Sequence, residues 1–427
     1  MKVLVVGGGG REHVIAWKII KSRWVSKVYC APGNGGISEV ATCVPIKADD
    51  IEGLISFVKD KEIDITIVGP EAPLAMGIVD RFEEEKLKIF GPSKAAARIE
   101  SSKVFAKELM KKYDIPTADF KVFDDHRKVK KYIKRTGGPM VIKVDGLAAG
   151  KGAFPCEDEI EALEAVDRIA SGAFKDADDR IIIEEFLNGE EASVLAFSDG
   201  QNIIPLESAQ DHKRAFDGDK GPNTGGMGAY SPAPIITDDL SSRIYDEILV
   251  PTIRALEKEG CPYKGILYAG LMITEDGPMV IEFNCRFGDP EAQAVIPRMA
   301  TDFLKPILGS CDGTLDKVRF RWSRSACVCV VMASGGYPGS YDKGYPIEGI
   351  VSAERTDGTV VFHAGTRLTE DNEIVTSGGR VLGVTATGPT IKKTIEKAYR
   401  GVKKIDFKDA YYRKDIGKSA LFHVDRI

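Results

Sequence analysis

The feature that most constrains this chain is its first hundred residues, where short apolar runs alternate with helical patterns at close spacing. Val3 to Val6, Lys27 to Cys30 and Ile63 to Val68 read as strands, and helices are expected from about Arg11 to Lys21 and from about Asp50 to Lys59. Runs that are apolar on both faces and separated by helices dictate a parallel α/β sheet, because each crossover must lie on a face and cover it. The whole chain has 427 residues, 43% of them hydrophobic, which allows about two to four domains with real cores and excludes global disorder.

Further along, Ser93 is placed to cap a helix carrying Ala106, Leu109, Met110 and Tyr113 on one face, ended by Pro116. From about Phe120 to Asn188 a compact unit of strand, helix, strand, Gly-rich turn, helix and strand follows. A Gly/Pro/Asp/Asn-rich segment from Asp211 to Pro234 reads as a long loop, and loops of that length are uncommon unless functional. Leu267 to Thr274 and Met279 to Phe283 form a hairpin, and from about Ser325 the chain is β-rich with a late helix near Ile391 to Val402. The expected division is an N-terminal α/β substrate-binding domain over 1–102, a central domain over 103–324 with a small subdomain at 120–189, and a β-rich domain over 325–427.

Charge narrows the function. Lys plus Arg number 59 and Asp plus Glu 64, a net charge of −5 without long like-charge blocks. Sequence-independent binding to nucleic acid or to an anionic membrane surface, which works through a basic face, is not expected. The most membrane-like stretch, Ala326 to Ala333, falls far short of the roughly 20 apolar residues a spanning helix needs. MKVLVVGGGGREH shows no apolar signal region, so a cytoplasmic location is expected. The eight cysteines sit mainly in apolar contexts without metal or redox spacing and read as reduced packing residues.

Glycine carries more information: there are 44, where ordinary usage of about 7% would give about 30. The surplus falls in four clusters, at 7–10, 33–36, 146–152 and 218–228. Gly7 to Gly10 follow the first strand and open a helix, a geometry that can hold a phosphate or ribose, with Arg11 adjacent. A dinucleotide fingerprint fails there, because Glu12 stands at its third glycine and the second strand ends Cys30-Ala31-Pro32 without an acidic residue. Lys143, Gly146 and Gly150-Lys151-Gly152 form a small-residue loop flanked by lysines, suited to closing backbone over a polyphosphate; the spacing is not that of a P-loop. The strand Ile181 to Glu185 runs into Phe186, Leu187 and Glu191, an extended exit that can offer backbone to a base and a carboxylate to a ribose. On the strand ending Glu282-Phe283-Asn284-Cys285-Arg286, residues 282 and 284 share a face, so two oxygen ligands converge as Mg²⁺ requires, and Arg286 can bind an anion bidentately. The loop Gln210-Asp211-His212-Lys213-Arg214, with GPNTGGMG after it, suits a lid over an anionic site, and His212 reads as a hydrogen-bonding loop residue rather than a general base.

Lys103, Lys143 with its loop, the 185–191 segment and Glu282-x-Asn284 occur in the order of the ATP-grasp fold. More closely, GGREH, APGNGG, VGPEAPLAMGIVD, DGLAAGKG, EEFLNGEEAS, QDHKR, GPNTGGMGAYSP and EFNCRFGDPE resemble the glycinamide ribonucleotide synthetase family over essentially the whole chain. The resemblance implies a Rossmann-like N-terminal domain, an ATP-grasp domain with a small subdomain, and a β-rich C-terminal domain. It implies a cytoplasmic ligase of purine synthesis that joins glycine to 5-phosphoribosylamine with ATP and Mg²⁺ or Mn²⁺, as a monomer or weak homodimer. Lys103, Lys143, Gly150, Lys151 and Gly152 would then hold ATP phosphates, Glu185, Phe186 and Leu187 the adenine, and Glu191 the ribose. Glu282 and Asn284 would hold the metal, Asp211, Lys213 and Arg286 the glycine side, and Gly9, Arg11, Asn34 and Glu71 the phosphoribosylamine; Lys143, Asp211 and Arg286 would stand nearest the chemistry. Many ATP-grasp proteins carry an acidic metal ligand on the preceding strand, where this chain reads Ala269-Gly270-Leu271-Met272, so a second ion held wholly by protein is not expected. The rival readings are a nicotinamide-dependent oxidoreductase, against which Glu12 and Cys30-Ala31 speak, a non-catalytic nucleotide sensor, which would have no use for Asp211 and Arg286, and, closest of all, a different ATP-grasp ligase.

Overall fold

A computed structural model describes residues 1–148, 152–171 and 180–424. The N-terminal sheet is parallel throughout, in the order Thr42–Cys43, Lys27–Pro32, Lys2–Gly7, Ile65–Val68, Ile89–Phe90. Val3, Leu4, Val5 and Val6 are wholly buried, as a central parallel strand must be when helices such as Gly10–Ile19 and Ile51–Lys61 cover its faces. Successive crossovers leave Lys2–Gly7 in opposite directions, so its carboxyl end is the switch point at which α/β sheets open a crevice.

The helix expected after Ser93 is two helices, Lys94–Ser101 and Lys103–Lys112. Ser93 caps the first and Ser102, in extended conformation, caps the second, so a hydroxyl competing for backbone amides breaks the run. The small subdomain is a four-stranded antiparallel sheet in the order Phe120–Phe123, Ile181–Glu185, Met140–Val144, Ala153–Cys156, backed by His126–Thr136 and Glu159–Ala170. Val129, Ile133, Ile142, Val166 and Ile181 form its own core, separate from the rest. The central sheet pairs Ile203–Pro205, Glu190–Asp199, Lys264–Thr274 and Gly277–Asn284. Its two faces share apolar clusters with the N-terminal domain, Leu267 packing with Leu4 and Val6 on one side and Phe197 with Val3 and Val5 on the other.

The segment 211–234 is not a loop. Gln210–Asp211 and Gly228–Ser231 are strands of an antiparallel sheet with Ala326–Ala333, Arg380–Gly388 and Thr359–His363, and Arg214–Phe216 with Lys220–Asn223 makes a separate two-stranded hairpin. Glycine and proline disguised these strands, and the pairing that holds Gly228–Ser231 in the larger sheet is supplied by Cys327–Val330, about a hundred positions later. Ile391–Val402 covers that sheet through Thr394, Ala398 and Gly401. All eight cysteines are free, six of them buried. Among the described residues no helix is long and apolar enough to cross a membrane.

Candidate active site

A cavity of about 500 Å³ opens where the three regions meet, lined from the N-terminal domain by Arg11 and Glu71, from the small subdomain by Lys143, Gly152, Glu185, Phe186 and Leu187, and from the central region by Lys103, Glu191, Asp211, Lys213, Glu282, Asn284 and Arg286. Gly150 and Lys151 lie outside the described residues. Gly9 and Asn34 are not among the residues that line it. The Asn34 amide donates to the carbonyls of Gly8 and His363 and its oxygen accepts from the amides of Gly36 and Ile37, so its side chain ties the two glycine turns together. The amides of the first turn are committed too: Gly9 donates to Glu12 Oε2 at 2.6 Å and Arg11 to Asp289 Oδ2 at 3.4 Å.

Three lysines gather at one end of the cavity. Lys103 opens its helix and donates to the carbonyl of Gly146 at 2.7 Å, while Asp145 accepts from the Val104 amide at that helix's N-terminus, fixing the start of the glycine-rich loop. Lys143 points from its strand to Glu184 Oε2 at 2.9 Å and to the carbonyl of Ile281 at 2.8 Å. Lys107, buried, reaches the same carboxylate oxygen at 3.0 Å. Burial lowers the Lys107 pKa to about 8 against the pull of Glu184. Lys107 carried no signal in the sequence beyond lying one helical turn after Lys103, and Glu184 stood out only as the first residue of EEFLNGEEAS.

Glu282 and Asn284 both face the cavity, as the strand period requires, cross-strand from Gly270 and Tyr268. Burial raises the Glu282 carboxyl, but Lys213, Lys143, Lys103 and Arg286 outweigh it and hold the pKa at about 2. An ionised carboxylate beside an amide oxygen suits one hard cation that draws its remaining ligands from phosphate and water. Among the described residues no group of three or more His, Cys, Asp or Glu forms a metal cage, and Gly270 leaves the neighbouring strand without a ligand opposite Glu282. Lys213 bridges Glu191 at 2.9 Å and Glu282 at 3.5 Å. Asp211 is driven well above the usual carboxylate range, first by burial and then by Glu291, Glu191 and Glu282, with Lys213 opposing. Glu291 accepts from Tyr268 at 2.5 Å, and neither residue was singled out by sequence because both sit in ordinary strand and turn contexts.

Arg286 is a hub. It donates to Glu71 at 3.1 Å, Glu100 at 2.8 Å, Asn284 at 3.2 Å and the carbonyl of Phe287 at 3.2 Å. Burial raises Glu71, yet Arg286 and Arg11 prevail and bring it to about 2. His212 is buried with Nδ1 unpartnered, and its backbone rather than its ring ties the loop to Gly228 and Met227; desolvation lowers its pKa to about 4. Arg380 enters the cavity wall from the third domain, donating to the carbonyls of Gly226 at 3.3 Å and Asp289 at 2.6 Å. Gly225 also accepts from it, and a Cβ there would lie 2.9 Å from its guanidinium carbon, which explains one glycine of GPNTGGMG.

Known proteins share this whole layout. Residues 1–100, 101–292 and 327–419 match the N, ATP-grasp (A) and C domains of phosphoribosylglycinamide synthetase. A phosphoribosylamine–glycine ligase of Caldanaerobacter subterraneus is 52% identical over 417 residues, covering 97% of this chain and 99% of its own. The crystal structure of phosphoribosylamine–glycine ligase from Thermotoga maritima superposes with a TM-score of 0.84 at 34% identity, over 97% of this chain and 100% of its own. The biotin carboxylase domain of Hydrogenobacter thermophilus 2-oxoglutarate carboxylase, a complex with MgADP, ADP and bicarbonate, shares the fold at 16% identity and a TM-score of 0.69, over 96% of this chain and 91% of its own. With three domain models matching most of its length and 52% identity to a relative over 97% of the chain, the chain belongs to the phosphoribosylglycinamide synthetase family of ATP-grasp proteins.

Proposed function

We infer that this chain is the ATP-dependent ligase its family name states, joining glycine to 5-phosphoribosylamine to give glycinamide ribonucleotide, ADP and phosphate in purine biosynthesis. One observation supports the cavity as the place: lysines, an acid–amide oxygen pair and the Arg11–Glu71–Arg286 cluster open on a single space between three regions. Lys103, Lys143 and Gly152 take the ATP phosphates. Glu185, Phe186 and Leu187 take the adenine and Glu191 the ribose. The biotin carboxylase relative, of the same fold, is a complex with MgADP, in keeping with a nucleotide here. Glu282 and Asn284 are the protein ligands of one divalent ion, Mg²⁺ or Mn²⁺, which neutralises phosphate charge when bound.

Asp211, crowded by carboxylates with Lys213 as their near cation, is a site short of positive charge, and the ammonium of glycine supplies it. Arg286 reaches the glycine carboxylate by exchanging Glu71, the more exposed of its two carboxylate partners at 26% against 8% for Glu100. Arg11 and the freed Glu71, supported by Gly9 and Asn34, meet the phosphoribosylamine. A carboxylate is a poor electrophile, so its oxygen first attacks the γ-phosphorus, the β–γ bridging bond breaks, and ADP leaves glycyl phosphate. The amine then attacks the carbonyl carbon, the bond to phosphate breaks, and the amine's proton passes to phosphate or solvent. The residues contribute position and charge rather than covalent chemistry, and the glycine-rich walls keep water from the acyl phosphate. ADP release measured with glycine or phosphoribosylamine left out tests this: turnover is expected only with both, and ADP release at the full rate without glycine would refute it.

A further inference from the structure

Arg413 is the largest side chain in the molecule that is fully buried, and nothing in the reaction uses it. It lies in the C-terminal tail and forms a fork on Asp415, with Nε and Nη2 each at 2.8 Å from a carboxylate oxygen. Its Nη1 donates to the carbonyl of Arg214 at 3.0 Å and to Asp219 Oδ1 at 2.8 Å, both in the hairpin Arg214–Phe216/Lys220–Asn223. The tail adds three more ties to that hairpin: the Gly218 amide to Asp415 at 2.8 Å, the Lys414 amide to Asp217 at 2.7 Å, and the Tyr411 hydroxyl to the carbonyl of Ala215 at 3.0 Å.

The hairpin needs such support. It belongs to no larger sheet, and of its residues only Ala215 is buried. Two strands alone are marginal in water. Its base nevertheless stands at the nucleotide end of the cavity: Arg214 and Asn223, paired in register, line the wall, and Lys213, whose carbonyl accepts from Thr224 at 2.8 Å, reaches Glu191 and Glu282. A buried ion pair is a weak device for stability, since apolar packing does as well. What an apolar residue cannot do is hold acceptors on two chain segments in one plane.

We propose that Arg413 is a positioning residue: through the carbonyl of Arg214 it fixes the hairpin, and so places Lys213 between the ribose carboxylate Glu191 and the metal carboxylate Glu282. The hairpin is thus a stapled wall rather than a free lid. The proposal rests on the roles given above to Glu191 and Glu282, and the two are separable. If the wild-type protein forms no glycinamide ribonucleotide, the functional reading fails; if it does and the variants below behave as wild type, only this proposal fails.

Arg413→Met is expected to raise the KM for Mg·ATP about tenfold, the scale of losing hydrogen bonds to a charged group. The KM for phosphoribosylamine should stay within about twofold, because that substrate meets the other end of the cavity. Arg413→Lys, which keeps the charge and loses the fork, should fall between. Hydrogen exchange of amides 214–223 should quicken in step with KM. Equal rises in both KM values, or a Lys variant matching wild type, would overturn the proposal. Should Arg413→Met not fold, Asp219→Ala removes one exposed end of the staple, and an unchanged KM for Mg·ATP together with unchanged hairpin exchange would equally overturn it.

Discussion

Replacing Glu282 by Gln keeps the side chain's volume and removes its charge at the point where three lysines converge and the divalent ion is proposed to bind. The carboxylate is ionised at any working pH, its pKa held at about 2 by Lys213, Lys143, Lys103 and Arg286 against burial. A unit charge pair near 4 Å at an effective dielectric near 20 is worth about 4 kcal/mol. At about 1.4 kcal/mol per factor of ten, losing that attraction alone lowers kcat/KM for Mg·ATP by about a thousandfold. The fold should hold, since Lys213 keeps Glu191 at 2.9 Å when Glu282, at 3.5 Å, loses its charge. With one anion fewer among the lysines, metal-free ATP should bind as well as before or better, so binding and turnover part company. The assay is ADP release over a Mg²⁺ titration at saturating glycine and phosphoribosylamine, beside a thermal melt. Activity within tenfold of wild type at saturating Mg²⁺, or a loss with no change in Mg²⁺ dependence, would refute the reasoning.

Acid should weaken the fold through its buried histidines before the carboxylates of ordinary or lowered pKa titrate, with Asp211, whose carboxyl is raised by burial, offsetting part of the loss. His13, His212 and His363 are held neutral by burial at pKa values of about 3, 4 and 4, against 6.5 when exposed. Each folded value is depressed, so the unfolded chain binds more protons below pH 6.5, and stability falls by about 1.4 kcal/mol per proton per pH unit from there towards pH 4. Glu71 and Glu282 add a second loss between about pH 4.5 and 2. Urea unfolding at graded pH checks this, and a midpoint flat from pH 6.5 to 5 would contradict it. Gly8→Ala places a Cβ 2.4 Å from the backbone carbonyl of Gly33 and should cost about 1–3 kcal/mol by overpacking. Gly137→Ala has nothing within 4 Å and bears only the strain of φ +69°, so thermal melts should rank Gly8→Ala the more damaging.

The parts of the site legible in the sequence are those set by local period. Glu282 and Asn284 share a face because a strand alternates, and Ile391–Val402 is a helix over the residues its apolar spacing marks. Legibility ends where a side chain is answered from far along the chain. Arg286 looked free for substrate, but Glu100 and Glu71 lie 186 and 215 residues away and engage it. The Gly7–Gly10 turn looked open to phosphate, but Glu12 takes the Gly9 amide and Asp289, 278 residues on, takes the Arg11 amide that follows. Asp211 to Pro234 looked like loop because glycine and proline mask its short strands, and the partners that anchor Gly228–Ser231, Cys327 to Val330, come a hundred residues later.

By itself the sequence determined the parallel N-terminal sheet and the strand face that Glu282 and Asn284 share, since periodicity and spacing are properties of consecutive residues. Tertiary structure alone decided which charges neutralise one another. It set Lys107 and Lys143 on one oxygen of Glu184, Arg380 against the Gly225 turn and Arg413 across the hairpin. The physical reason is that electrostatic energy depends on distance and burial. Neither is fixed until the chain has brought together residues that its order keeps far apart.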